Sequence, residues 1–244
     1  MGSIARGLAY PAKTAPLTLV LVFGFLLALA VFAGLIGIPL ALVVLSWFLK
    51  YSFVLFDDVT LGRPEPSVLS YEMVNPFNEQ RPLGVLVVVA VCYILPNFLR
   101  PMIGHQAVTA IHVIELLLLP ASAATLGITG NLLEAVNPVT VFGLVRRLGS
   151  LYIAVIIVIT LLTGVIVEVF LPRVATSFLG QIAVFALILY TWLAMFSVLG
   201  LAIYERRDQL NLETWHSPEQ KDAKAQNEVD RARDRFVDEL YHHW

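Results

Sequence analysis

"LTLVLVFGFLLALAVFAGLIGIPLALVVLSWFLKYSFVLF", residues 17–56, contains a single charged side chain, Lys50. Each half of this stretch holds about 20 mostly apolar residues, enough for a helix to cross a hydrocarbon core about 30 Å thick. Gly37 and Pro39 fall near its middle. Proline has no backbone N–H and disfavours helix in the residue before it, so the stretch reads as two spans, 17–36 and 38–56, joined by a tight hairpin. One long kinked helix is the alternative.

The rest of the chain repeats the pattern. Further apolar runs cover 83–99, 111–129, 151–170 and 178–203. Overall 58% of residues are hydrophobic, only 14% are charged and the mean hydropathy is +0.80. Soluble domains carry roughly 25% charged residues, so this composition is that of an integral membrane protein. The expected fold is an all-α integral membrane helical bundle of six spans, 1–204, followed by a tail, 205–244. Arg6, Lys13 and the small residues "ALA" at 28–30 imitate a cleaved signal peptide, but the apolar run continues well past them, so a retained span is expected. Cys92 is the only cysteine and lies within an apolar run. That excludes an intramolecular disulfide and a cysteine-based metal site and leaves the redox compartment open. The net charge of -2 indicates no particular partner.

Lys and Arg near span ends set orientation. Six spans put Arg6, Lys13, Arg63, Arg81, Arg146, Arg147 and the tail, with Arg206 and Arg207, on one side of the membrane. The other side receives only Arg100 and Arg173. Both termini are therefore expected in the cytoplasm, and a five-span threading would put one positive terminus on the wrong side.

On this threading two nearly identical pentapeptides, "EMVNP" at 72–76 and "EAVNP" at 134–138, fall in cytoplasmic loops. Asn caps helix N-termini by accepting from an exposed backbone N–H, and Pro suits the first helical position, where its missing donor costs nothing. Asn75–Pro76 and Asn137–Pro138 thus read as helix starts. After the second, "PVTVFGLVRRLG" puts Val141, Phe142, Val145 and Leu148 on one side. Arg146 and Arg147 are placed to meet lipid phosphates, as in a short helix lying in the interface. The repetition hints at an internal duplication, although chance and the general use of Asn-Pro as a helix start explain it as well.

"KYSFVLFDDVTLGRPEPSVLSYEMVNPFNEQRPLG" and "EAVNPVTVFGLVRRLGSLYIAV" together resemble a bacterial membrane-protein family of unknown function grouped with the Yip-type and glycerophosphodiester-phosphodiesterase membrane domains. The resemblance covers about residues 17–204. It rests on the Gly/Pro-rich first hairpin, on the turn Gly62-Arg63-Pro64-Glu65-Pro66, with Ser67 where a second Pro is expected, and on the Asn-Pro start of a basic helix. It implies a polytopic bundle in the inner membrane of a bacterium and no catalytic residue set. The phosphodiesterase relatives act through a separate soluble domain, for which this chain is expected to have no room.

Charged groups inside spans are costly and are candidate functional residues by default. Lys50 is expected to snorkel to the headgroups. Glu115 and Glu168 are expected at similar depth near the non-cytoplasmic face, on the fourth and fifth spans, with His112 one turn from Glu115. They form either a static clamp between spans or a proton or cation site in a transport cycle. His105 and His112 lack the spacing of a metal site. Pro120, mid-span in "LLLLPASAATLG", together with the small residues after it, is expected to let a neighbouring backbone approach closely.

In the tail, Ser217, Pro218 and Gln220 start a helix, and Ala225, Val229, Ala232, Phe236 and Leu240 recur at helical spacing. The expected amphipathic helix, 217–241, has a narrow apolar face and mixed charges, which suit a protein partner better than lipid. No phosphate loop, nucleophile motif or redox pair is visible. The sequence therefore points to a non-enzymatic membrane protein without cofactor, metal or nucleic-acid partner, a scaffold or accessory component of the cell envelope. The alternative is a small transporter or lipid-handling protein using Glu115 and Glu168.

Overall fold

The computed structural model describes residues 2–63, 65, 81–174 and 177–207. The chain divides into two units, Met1–Leu210 and Asn211–Trp244. The second unit, with the expected helix 217–241, lies outside the described residues, as does the first pentapeptide with Asn75 and Pro76.

The described residues form helices and no strand: α1 (Gly2–Ala9), α2 (Thr14–Phe32), α3 (Gly37–Thr60), α4 (Arg81–Ile103), α5 (His105–Thr129), α6 (Leu132–Val136), α7 (Pro138–Leu148), α8 (Ser150–Val165), α9 (Leu171–Val174) and α10 (Phe178–Glu205). Six helical segments, α2, α3 with the turn from Gly34, α4, α5, α8 continued to Glu168, and α10, are long and apolar enough to cross a membrane. The first 40-residue stretch is a hairpin of two helices. Phe23 and Phe48 meet edge-to-face across it, with ring centroids 6.1 Å apart. The turn depends on Gly37, because a Cβ there would overlap the backbone oxygen of Ala30.

Most helices run past the limits that hydropathy suggests. Helix α3 continues to Thr60, α4 starts at Arg81, α5 starts at His105 and α10 ends at Glu205. A hydropathy window closes at the first charged residues, whereas the backbone hydrogen-bond ladder runs on until a helix breaker. The breakers here include Gly62 and Gly104, both at positive φ.

The centre of the bundle is α10, which packs most extensively on α2 and α3 and also contacts α1, α5 and α8. Phe196 is 1% exposed. Its ring meets Phe53 and Phe56 edge-to-face at 5.2 and 5.9 Å. Small residues let backbones close up, as helix association in lipid requires. Gly24 abuts Ala186, Gly200 abuts Val59 and the Phe56 carbonyl, and Gly127 abuts the Phe56 ring. Helix α5 stays continuous through Pro120, and residues 120–127 are buried. The Tyr152 hydroxyl donates to the Leu117 carbonyl, in the turn where Pro120 disturbs the ladder. Helix α1 lies along α10, with Gly7 against Val198 and the Tyr190 hydroxyl donating to the Leu8 carbonyl at 2.7 Å.

The second pentapeptide starts a helix as its chemistry requires. Asn137 caps α7 by accepting from the Val139 N–H at 3.0 Å, and Pro138 is the first helical residue. The buried stripe of α7 is Val141, Leu144 and Leu148. Phe142, expected among them, is 57% exposed, because the 3.6-residue period places it about 100° around the helix from Val141.

Candidate functional site

Polar side chains gather at two places, near opposite ends of α4 and α5. The first is built on the second half of α3, where every residue from Phe48 to Thr60 except Val54 is buried. A helix enclosed on all sides ordinarily carries apolar residues alone. This one carries Lys50, Asp57 and Asp58.

Asp57 is held by Arg81, the first residue of α4. Nη1 and Nη2 of the arginine donate to the two carboxylate oxygens at 3.1 and 3.0 Å, a bidentate fork. Nη1 also reaches the Gly127 carbonyl of α5 at 3.3 Å, and the guanidinium lies 5.1 Å from the centre of the Phe53 ring. One cation thereby ties α3, α4 and α5 together. The arginine side chain is 6% exposed and the carboxylate 12%.

Asp58 faces another direction and is sealed, with 2% of its side chain exposed against 49% for its partner Arg63, which donates to it at 2.7 Å. The reach back is a property of Gly62, whose φ of 72° reverses the chain after α3; a Cβ there would come within 2.6 Å of the Tyr204 ring. The Tyr10 hydroxyl donates to the Arg63 carbonyl at 3.3 Å. Burial, reinforced by the Asp58 carboxylate, pushes the Tyr10 hydroxyl well above the usual phenol range, so it stays a neutral donor.

Lys50 is 6% exposed, which corrects the expectation that it snorkels to the headgroups. The reason is its position on the enclosed half of α3, where neighbouring helices cover the stem and head alike.

The second cluster lies between α4 and α5, toward the turn at Gly104. His112 Nδ1 is 2.9 Å from Glu115 Oε2, and its Nε2 is 3.3 Å from Asn97 Nδ2. The imidazole lies nearly parallel to the Tyr93 ring, at 21° and 6.2 Å between centroids. The Cys92 thiol lies beside the Glu115 carboxylate. This cluster is open: 34% of the His112 side chain and 25% of the Glu115 side chain are exposed.

Of the residues expected to act together, the structure joins Glu115 with His112. Glu168 is exposed, on a π-helical segment, Ile166–Phe170, and makes no hydrogen bond or ion pair among the described residues. Arg146 and Arg147 are exposed in the last turn of α7. The Arg147 carbonyl accepts from Arg206 Nη1 at 2.9 Å, which joins the end of α7 to the end of α10. Among the described residues no group of three or more His, Cys, Asp or Glu side chains is arranged to hold a metal. A shallow crevice between α1, α8 and α10, with space for little more than one water molecule and lined by Ile4, Val155, Val198 and Ala202 among others, touches neither polar cluster.

Sequence reasoning missed Asp57, Asp58 and Arg81 as interior groups and Asn97 as a partner of His112. Part of the signal for the two aspartates was present, since no Gly or Pro interrupts 40–61 and the helix runs on through both; nothing in the sequence pointed to Arg81 as their neighbour. No family model, no curated protein and no solved structure matches this chain.

Proposed function

We propose that this is a non-enzymatic, multi-pass protein of the bacterial inner membrane that serves as a scaffold or accessory component of the cell envelope. The observation that carries the reading is the bidentate pair of Asp57 and Arg81 with its further bond to Gly127. These two charges are committed to holding spans together instead of lining a path for a substrate. Asp58 is likewise sealed by Arg63.

In this proposal both termini are cytoplasmic. Tyr10 bonds to the Arg63 carbonyl, Tyr204 packs on Gly62 and Arg206 bonds to the Arg147 carbonyl, so the basic segments meet at one end of the bundle. Such a gathering of Arg and Lys marks the cytoplasmic side. Helix α7 lies in the interface, with Arg146 and Arg147 toward the phosphates and its buried stripe toward the bundle. The tail, where the sequence pattern of 217–241 spaces Val229, Ala232, Phe236 and Leu240 as on one face of a helix, offers the contact to a protein partner.

The test is a photo-crosslinker at Phe236 in native membranes. The expected result is one discrete adduct, lost on competition by the free 217–244 peptide, with the membrane domain of a chain lacking 217–244 still inserted and folded. Absence of an adduct, combined with ion or lipid flux in reconstituted vesicles that Glu115→Gln abolishes, overturns the scaffold reading in favour of transport.

A further inference from the structure

The hydrogen bonds around His112 fix more than its position. Asn97 Nδ2 lies 2.8 Å from the Tyr93 carbonyl oxygen, which can only accept, so the amide nitrogen and not the amide oxygen faces that carbonyl. The same nitrogen is 3.3 Å from His112 Nε2, and its second N–H is available to donate there. Nε2 must then present its lone pair. The imidazole proton belongs on Nδ1, where it is donated to Glu115 at 2.9 Å. Every hydrogen-bonding atom of the ring is satisfied, and only in the neutral form with hydrogen on Nδ1.

A proton added at Nε2 would set N–H against N–H. The Asn97 amide cannot resolve this by turning over without giving up the Tyr93 carbonyl. The charged ring retains its bond to Glu115, which is on its own helix, and loses its bond to Asn97, which is on the neighbouring one. We propose that His112 is a proton-binding site that fastens α5 to α4 when neutral and releases it when protonated.

Access and surroundings fit this role. His112 is seven residues into α5, about 10 Å from its start at a rise of about 1.5 Å per residue, and a third of its side chain is exposed. The proton comes from water at the end of the bundle where Gly104 joins the two helices, and Nε2 receives it with no other covalent bond made or broken. The ionisable groups facing the site are Glu115 on α5 and Cys92 and Tyr93 on α4. Arg100 and His105 stand nearer the turn, and Glu168 is exposed at the same end of the bundle. The hold on α5 is local. The other half of α5 is anchored through Gly127 to α3 and Arg81, and Gly104 joins the two helices at the turn, so release loosens α5 from α4 only around His112 and leaves the rest of the bundle in place.

This inference is independent of whether the tail binds a partner. Its test uses the full chain in phosphatidylcholine vesicles with Cys92→Ala and spin labels on Phe98→Cys and Val113→Cys, two exposed positions flanking the cluster. Dipolar broadening is followed as the pH is lowered from about 8 to about 5. The expected result is broadening that weakens on acidification, absent pH response in His112→Gln, and a reversed response in Asn97→Asp, whose carboxylate accepts from a protonated Nε2 but repels a bare one. Constant broadening in the parent, or the same response in His112→Gln, overturns the proposal. A second measurement needs no labels or substitutions in the chain observed: imidazole 15N shifts of the unmodified protein, assigned by comparison with His112→Gln, should show hydrogen on Nδ1 alone at high pH. Hydrogen on Nε2 there overturns it as well.

Discussion

The two polar clusters use similar residues and reach opposite outcomes. At the enclosed end, Asp57 and Arg81 sit on helices wrapped by neighbours, and a carboxylate and a guanidinium are fixed in a fork with almost no solvent. At the open end, His112 and Glu115 sit on the half of α5 that is largely uncovered, and their bonds leave room for a proton to enter. The difference follows the packing along one helix: in α5 residues 120–127 are buried, whereas before Pro120 only Val108 is. Burial turns charge into a fastener, because a buried ion cannot leave its partner without a large desolvation cost.

The comparison breaks if the enclosed pair proves dispensable. Arg81→Met leaves the Asp57 carboxylate buried without its cation and is expected to cost about 3–5 kcal/mol in reversible unfolding in mixed micelles. Packing gives the next contrast. Gly127→Ala pushes a methyl to within 2.6 Å of the Phe56 ring, whereas Gly164→Ala on α8 meets nothing within 4 Å. The first should lose about 1–3 kcal/mol of stability. The second should be neutral or gain up to about 1 kcal/mol from better helix propensity, and thermal unfolding of the pair compares them under one condition. A smaller loss, about 1 kcal/mol, is expected for Asn137→Ala, which removes the cap of α7 and should appear as faster amide exchange in residues 139–141. The smallest belongs to the open end. His112→Gln, at a half-exposed bond, should change stability by less than about 1 kcal/mol. A loss there equal to that of Arg81→Met would show that the open cluster is as structural as the enclosed one.

The six spans were legible because length and apolarity alone identify a membrane-crossing helix, and the cap at Asn137–Pro138 was legible because it is purely local. The His112–Glu115 pair followed from its i, i+3 spacing. The enclosed cluster was not legible, since hydropathy closes a span at Asp57 and assigns Arg81 to a loop. Only the packing of α3 against α4 and α5 shows that these two residues, 24 apart in sequence, meet inside the bundle. Lys50 was misread for the same reason: depth along a helix can be counted, but which helices surround it cannot. Asn97 escaped notice because its amide meets His112 across two helices.

The claim that interior charge acts here as a fastener is tested most directly by a double-mutant cycle on Asp57→Leu and Arg81→Met, with unfolding free energies measured in the same lipid-detergent mixture. Each single change should destabilise strongly, and the double variant should recover most of the loss, since removing both charges leaves nothing uncompensated. Losses that simply add, with the double variant the least stable of the four proteins, would contradict the account.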